Sequence, residues 1–225
     1  ASGVDLLLSG KLGHYNGSSW GFATKSGAGV MKITGTNEIG RMTVSEGKLI
    51  LENTGIDGMA NGGLINNAQS ELSVTGSNTV SYGQAISGSG TIAKTGTGTL
   101  TLSSSSTYTG ATTVSAGTLL VNGALGNTAV TVESSGTIGG SGSIAGSLNF
   151  DANAKLTVNL ADPLFITGAV TFDGFDFDDI LGWNYTSAAN GIYTLLTGSN
   201  INLSSGVAHV GLGNALSLGG GRSAY

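Results

Sequence analysis

Residues 87–123 read SGSGTIAKTGTGTLTLSSSSTYTGATTVSAGTLLVNG, and this stretch decides the fold. Apolar side chains fall at every second position in short bursts, Leu100 and Leu102, then Leu119 and Val121. Gly, Ser and Thr fill the intervals. A period of two puts alternate side chains on opposite faces of an extended chain, and the Gly-rich intervals supply turns. The stretch is therefore strand–turn–strand, with nothing helical in it.

The pattern does not stay in one place. Ile39–Asn53, IGRMTVSEGKLILEN, aligns with Thr109–Gly123, TGATTVSAGTLLVNG. Gly40 matches Gly110, Thr43-Val44-Ser45 matches Thr113-Val114-Ser115, Gly47 matches Gly117, Leu49 matches Leu119 and Leu51 meets Val121. Val130–Ile138 and Leu148–Val158 are fainter echoes. The shared unit is a strand of about four residues, a Gly-containing turn and a second short strand. So short a strand cannot bury its apolar face alone. Stacking turns of roughly 20 residues buries it continuously, which makes the expected fold an all-β solenoid.

Composition agrees. Gly accounts for 40 of 225 residues, there is one Pro, and charged residues make up 9%, against about 25% in an average protein. With a mean hydropathy of +0.20 this is not the polar, charge-rich composition of a disordered chain. The net charge is −5, and the eight Lys and Arg are spread along the sequence. No basic cluster exists to neutralise phosphates, so nucleic acid is not an expected partner. No apolar run approaches the ~20 residues of a spanning helix, so membrane insertion is not expected either. The absence of Cys removes disulfides, thiolate metal sites and thiol catalysis together. The chain begins Ala1-Ser2-Gly3, small residues of the kind left by signal cleavage, and is read as a mature exported chain.

Three regions follow. Residues 1–27 form an N-terminal strand and cap, residues 28–160 the coils, and residues 161–225 a C-terminal capping region of different composition, since terminal repeats of solenoids are atypical. Within the last region, Asp178–Trp183 (DDILGW) is expected to form one helical turn, and Ile192–Leu196 a buried strand.

Residues 60–123 resemble the autotransporter-associated β-strand repeat, also called the passenger-associated transport repeat. The resemblance is carried by Lys94–Leu102 (KTGTGTLTL), Tyr108–Gly110 (YTG) and Val114–Leu119 (VSAGTL), in that order. The tail, FDGFDFDDILGWNYTSAANGIYTLLTG followed by VGLGNALSLGGGRSAY, is similar to C-terminal regions of large exported repeat proteins of Gram-negative bacteria. The resemblance implies a right-handed parallel β-helix, secretion, and a surface or matrix role. It carries over no catalytic residue.

Few residues are spare for chemistry. Asp173, Asp176, Asp178 and Asp179 form an acidic run, and oxygen-rich clusters bind Ca²⁺. A solvated acidic edge, a Ca²⁺ site and carboxylate catalysis are the readings of this run. The interleaved Phe172, Phe175 and Phe177 are better explained as anchors packing the cap on the coils. No other metal or cofactor is expected. His14 and His209 stand far apart among small residues, and no Ser sits in a G-x-S-x-G elbow. Thr99, Thr101, Thr112 and Thr113 alternate with apolar residues and are expected to face solvent as Thr ladders. Good strand chemistry is the favoured explanation of these Thr, and a flat polar face for glycans or a cell surface is the alternative.

The sharper expectation lies at the ends. A solenoid exposes a coil edge at each end, and unpaired edges template pairing. Val4, Leu6, Leu7 and Leu8 make the first strand strongly apolar. They are the expected assembly residues, joining subunits end to end or by strand exchange into a homopolymer. The expected function is that of an extracellular, non-enzymatic subunit of a surface fibre or matrix. The alternatives are a monomeric adhesin passenger that binds glycans or cells, and a polysaccharide-active β-helix enzyme.

Overall fold

The structure, a computed structural model, describes residues 5–8, 22–34, 40–52, 63–67, 70–159, 161–174, 179–181, 196–203, 216–217 and 223–224. The described residues form strands and turns, with no α-helix among them. The strands stack in parallel into three ladders. One ladder pairs Phe22–Lys25, Arg41–Val44, Leu64–Asn66 and Ile86–Gly88 in turn. It continues past Ser106 into Ala124–Leu125, Ser143–Ile144 and the first residues of Leu164–Phe172. A second ladder starts at Leu6–Leu8 and runs through Val30–Ile33, Gly47–Glu52, Ser70–Thr75 and Thr91–Lys94. From there it passes to Thr112, Val130, Leu148, Val170 and Ile201. A third joins Val80–Tyr82, Thr99–Leu102, Thr118–Val121, Thr137–Gly139, Lys155–Leu156 and Ile180. Three parallel ladders around one core make a β-solenoid, as the repeat spacing predicts.

The core is a set of columns that follow the alternation of each strand. Ile33, Leu51, Val74, Lys94, Val114, Val132, Phe150 and Phe172 stand in register down one inner edge of the second ladder. Leu100, Leu119, Ile138, Leu156 and Ile180 do so on the third. All of these but Lys94 are buried apolar groups. Each stacked Leu, Ile, Val or Phe contributes about 1.5–3 kcal/mol by burial. Near the last coils the Phe150 and Phe172 rings stack, with centroids 4.9 Å apart.

Two expectations are corrected here. Thr112 does not face solvent. It is buried, because it lies two positions before Val114 on the same inner face. Of the expected helical turn Asp178–Trp183, residues 178, 182 and 183 lie outside the described residues and Asp179 is in a 3₁₀ turn, but Ile180–Leu181 is a strand paired in parallel with Leu156 and Thr157. Ladder pairing on the growing stack overrides the weak local helix preference of DDILGW. The parallel register also runs past residue 160, through Leu164–Phe172 into Leu196–Leu203. Of the expected strand Ile192–Leu196, only Leu196 lies within the described residues, as the start of that last strand.

Candidate assembly edge and repeat corners

The corners of the solenoid show what the repeat motif is for. Lys25 and Lys94 are buried, at 7% and 2% exposure. Each precedes a G-x-G turn, Gly27-Ala28-Gly29 and Gly96-Thr97-Gly98. The Lys25 Nζ donates to the carbonyls of Gly27 (2.6 Å), Ser26 (3.2 Å) and, one coil on, Glu46 (3.0 Å). The Lys94 Nζ donates to the Gly96 carbonyl and, one coil on, to that of Ala116 (3.0 Å). An ammonium with its three donors thus satisfies turn carbonyls on two successive coils, which a tight corner would otherwise leave unmade. Burial lowers the Lys94 pKa to about 8.

The turn of the following coil closes down on the same carbonyls. Gly47 and Gly117 both have positive φ, +76° and +66°. A Cβ on Gly47 would lie 2.5 Å from the carbonyl oxygens of Gly27 and Gly29, and one on Gly117 would strike those of Gly96 and Gly98. Lys48 N and Thr118 N donate to the Gly29 and Gly98 carbonyls, at 3.2 and 3.1 Å. The same corner is therefore built twice. The two copies occupy different corners: Lys25 ends a strand of the first ladder, Lys94 one of the second.

The second copy adds a buried hydroxyl chain. Tyr108 Oη and Thr112 Oγ1 are 2.7 Å apart, Thr112 Oγ1 and Thr128 Oγ1 3.1 Å, and Thr128 Oγ1 donates to the Gly110 carbonyl at 2.6 Å. This ties two successive coils together and explains how Thr112 is tolerated in the core. Burial, partly offset by the Thr hydroxyls, raises the Tyr108 pKa to about 12.

Leu6–Leu8, three of the four residues expected to mediate assembly, form a strand. Leu6–Leu8 pairs in parallel with Met31–Ile33, and among the described residues this is its single ladder neighbour. Asp5 fastens the strand: its N donates to the Val30 carbonyl at 2.9 Å, and its carboxylate accepts from Val30 N. Leu6 and Leu7 are 51% and 57% exposed. Val4 lies outside the described residues. One coil on, Phe22 is 73% exposed beneath the Arg41 guanidinium, whose Cζ is 4.8 Å from the ring centroid.

The acidic run is split. Asp176 and Asp178 lie outside the described residues, and Asp173 is exposed. Asp179 is buried and forms an ion pair with Lys155, Nζ to Oδ1 2.5 Å. Among the described residues, no three His, Cys, Asp or Glu side chains are grouped to hold a metal ion. Sequence reasoning missed both buried lysines, because it took the basic residues as dispersed surface charge. The signal was the Lys before G-x-G in both copies.

The family model of the passenger-associated-transport-repeat matches residues 24–51 and 92–121. These segments take in the two lysine corners and end at Leu51 and Val121, the pair already matched in the internal alignment. No curated protein and no solved structure matches the chain. Over these two segments the chain is similar to the passenger-associated-transport-repeat, and the two matched units sit on successive corners of one β-solenoid.

Proposed function

We propose that this chain is an extracellular structural protein whose coil stacks join end to end into a surface fibre or matrix. The repeat is that of exported passenger-type proteins, which supports the location. The carrying observation is the apolar Leu6–Leu8 strand, with Leu6 and Leu7 exposed, paired in parallel along one edge with Val30–Ile33. Such an edge gains both backbone bonds and apolar burial when another strand is added. Contact between unlike ends of identical subunits does not close by rotation and grows as an open polymer. The role is structural, not catalytic: the motif residues turn corners and satisfy carbonyls, and Asp179 is committed to Lys155. Deleting residues 1–8 and imaging the product by negative stain tests the reading. Filaments from the intact chain and dispersed particles from the truncated one are expected; filaments from both sink it.

A second reading, a passenger that binds glycans, rests on the outer positions of the second ladder. Thr113, Thr131, Asn149 and Thr171 stand in register there, a polar column repeating every ~4.8 Å. Retention on a glycan array, lost in Thr131→Val with Thr171→Val, would favour it.

A further inference from the structure

The two ends of the second ladder carry the same pattern in the same register. Following the Cα partners from Leu6 leads through Met31, Leu49, Leu72 and Ile92 to Thr112, Val130, Leu148, Val170 and finally Ile201. Following them from Leu8 leads through Ile33, Leu51 and Val74 to Phe150, Phe172 and Leu203. The outer column between them starts at Leu7 and ends at Asn202. Leu6-Leu7-Leu8 at one end and Ile201-Asn202-Leu203 at the other are therefore the same three register positions of one ladder. Each strand has one ladder neighbour among the described residues, Val30–Ile33 and Leu164–Phe172.

The geometry points to a specific joint between two copies of this chain. Resting on the end-to-end reading, it seats Leu6–Leu8 of one copy in parallel on Ile201–Leu203 of the next, with Leu6 opposite Ile201, Leu7 opposite Asn202 and Leu8 opposite Leu203. The occupant is a second copy because its Leu196–Leu203 strand carries apolar Ile201 and Leu203 at the register positions that Leu6 and Leu8 hold at the other end of the same ladder. A slip of one residue would set polar Asn202 opposite Leu6 or Leu8 instead of Leu7 and is disfavoured, since the alternation has a period of two. Joined in this way, the ladder and the core run without interruption from subunit to subunit.

Cysteine pairing reads the register directly, because the natural chain has no Cys. Parallel neighbours lie ~4.8 Å apart, within disulfide reach. Within one chain, positions 7 and 202 stand at opposite ends of the ladder, roughly 40 Å apart, so they cannot close on themselves. The double variant Leu7→Cys/Asn202→Cys is oxidised and run on a denaturing gel. The expected result is a series of covalent multimers that collapses on reduction, with each single variant giving at most dimers. Filaments without multimers, or a stronger series from Leu6→Cys/Asn202→Cys, would overturn this register and leave end-to-end association standing. Loss of all association in the intact chain would overturn both. A charge pair guards against misfolding of the Cys variants: Leu7→Lys/Asn202→Asp assembles at low salt and Leu7→Lys/Asn202→Lys does not. Equal assembly of the two would again reject the joint.

Discussion

At Gly117 the backbone is left-handed and the carbonyls of Gly96 and Gly98 leave no room for a Cβ. Gly117→Ala therefore combines φ strain with a backbone clash and is expected to cost about 2–3 kcal/mol. Gly83→Ala, with nothing within 4 Å of its Cβ, is expected to be near neutral. Urea midpoints of the two variants check the difference, and equal losses would contradict the corner geometry. Lys94 makes a pH prediction. Its folded pKa of about 8 lies below the ordinary 10.5, so between those values the unfolded chain holds more protons and stability rises with pH. Buried Tyr82 and Tyr108 act in the opposite sense, because burial raises both phenols above the ordinary 10.0. Unfolded phenols ionise from about pH 10 and draw stability down. The midpoint should climb from pH 8 to about 10 and then fall, and Lys94→Met should abolish the climb alone. A wild-type midpoint that falls steadily from pH 8 would contradict the buried ammonium. The inward apolar residues were legible from alternation, since Leu100, Leu102, Leu119 and Val121 are all buried. The lysines were not, because composition treats a Lys as surface charge unless a pattern marks it, and only the G-x-G after both copies does so.

At the scale of elements, the strands were legible wherever apolar alternation was sustained, and hidden where pairing decides the state. Ile180–Leu181 is a strand because Leu156 and Thr157 offer it a ladder position, information that lies far away in the chain. Thr112 is inward because its phase follows Val114, and its hydroxyl is satisfied by Tyr108 and Thr128, an arrangement no local rule announces. The Lys155–Asp179 pair fastens this last strand of the third ladder. Lys155→Met leaves the buried Asp179 carboxylate without its cation and should cost about 1–3 kcal/mol, less than a fully buried pair because Lys155 is partly exposed. Adding Asp179→Asn should recover part of that loss in thermal melts. A double variant no more stable than Lys155→Met would show that the pair does not act as a unit. Of the acidic run read from sequence, Asp173 and Asp179 are thus brought to different surroundings, one exposed and one ion-paired.

At the scale of the whole molecule, the solenoid was legible because each short strand repeats the same unmet need for a neighbour, and stacking is the common answer. What the sequence did not display is the rotation of the repeat. The two copies align residue for residue, yet one corner joins the first and second ladders and the other the second and third. That follows from coil lengths between the copies, which the motif itself does not encode. The apolar start at Leu6–Leu8 was visible, while its match to Ile201–Leu203 emerges only from the chain of register partners. In the proposed fibre, one parallel ladder carries on from copy to copy along the solenoid axis. Fibre diffraction from aligned filaments of the intact chain tests it most directly. A ladder continued across joints gives a sharp reflection at ~4.8 Å along the filament axis, the coil-to-coil spacing. A 4.8 Å reflection lying across the axis, from solenoids packed side by side, would contradict it.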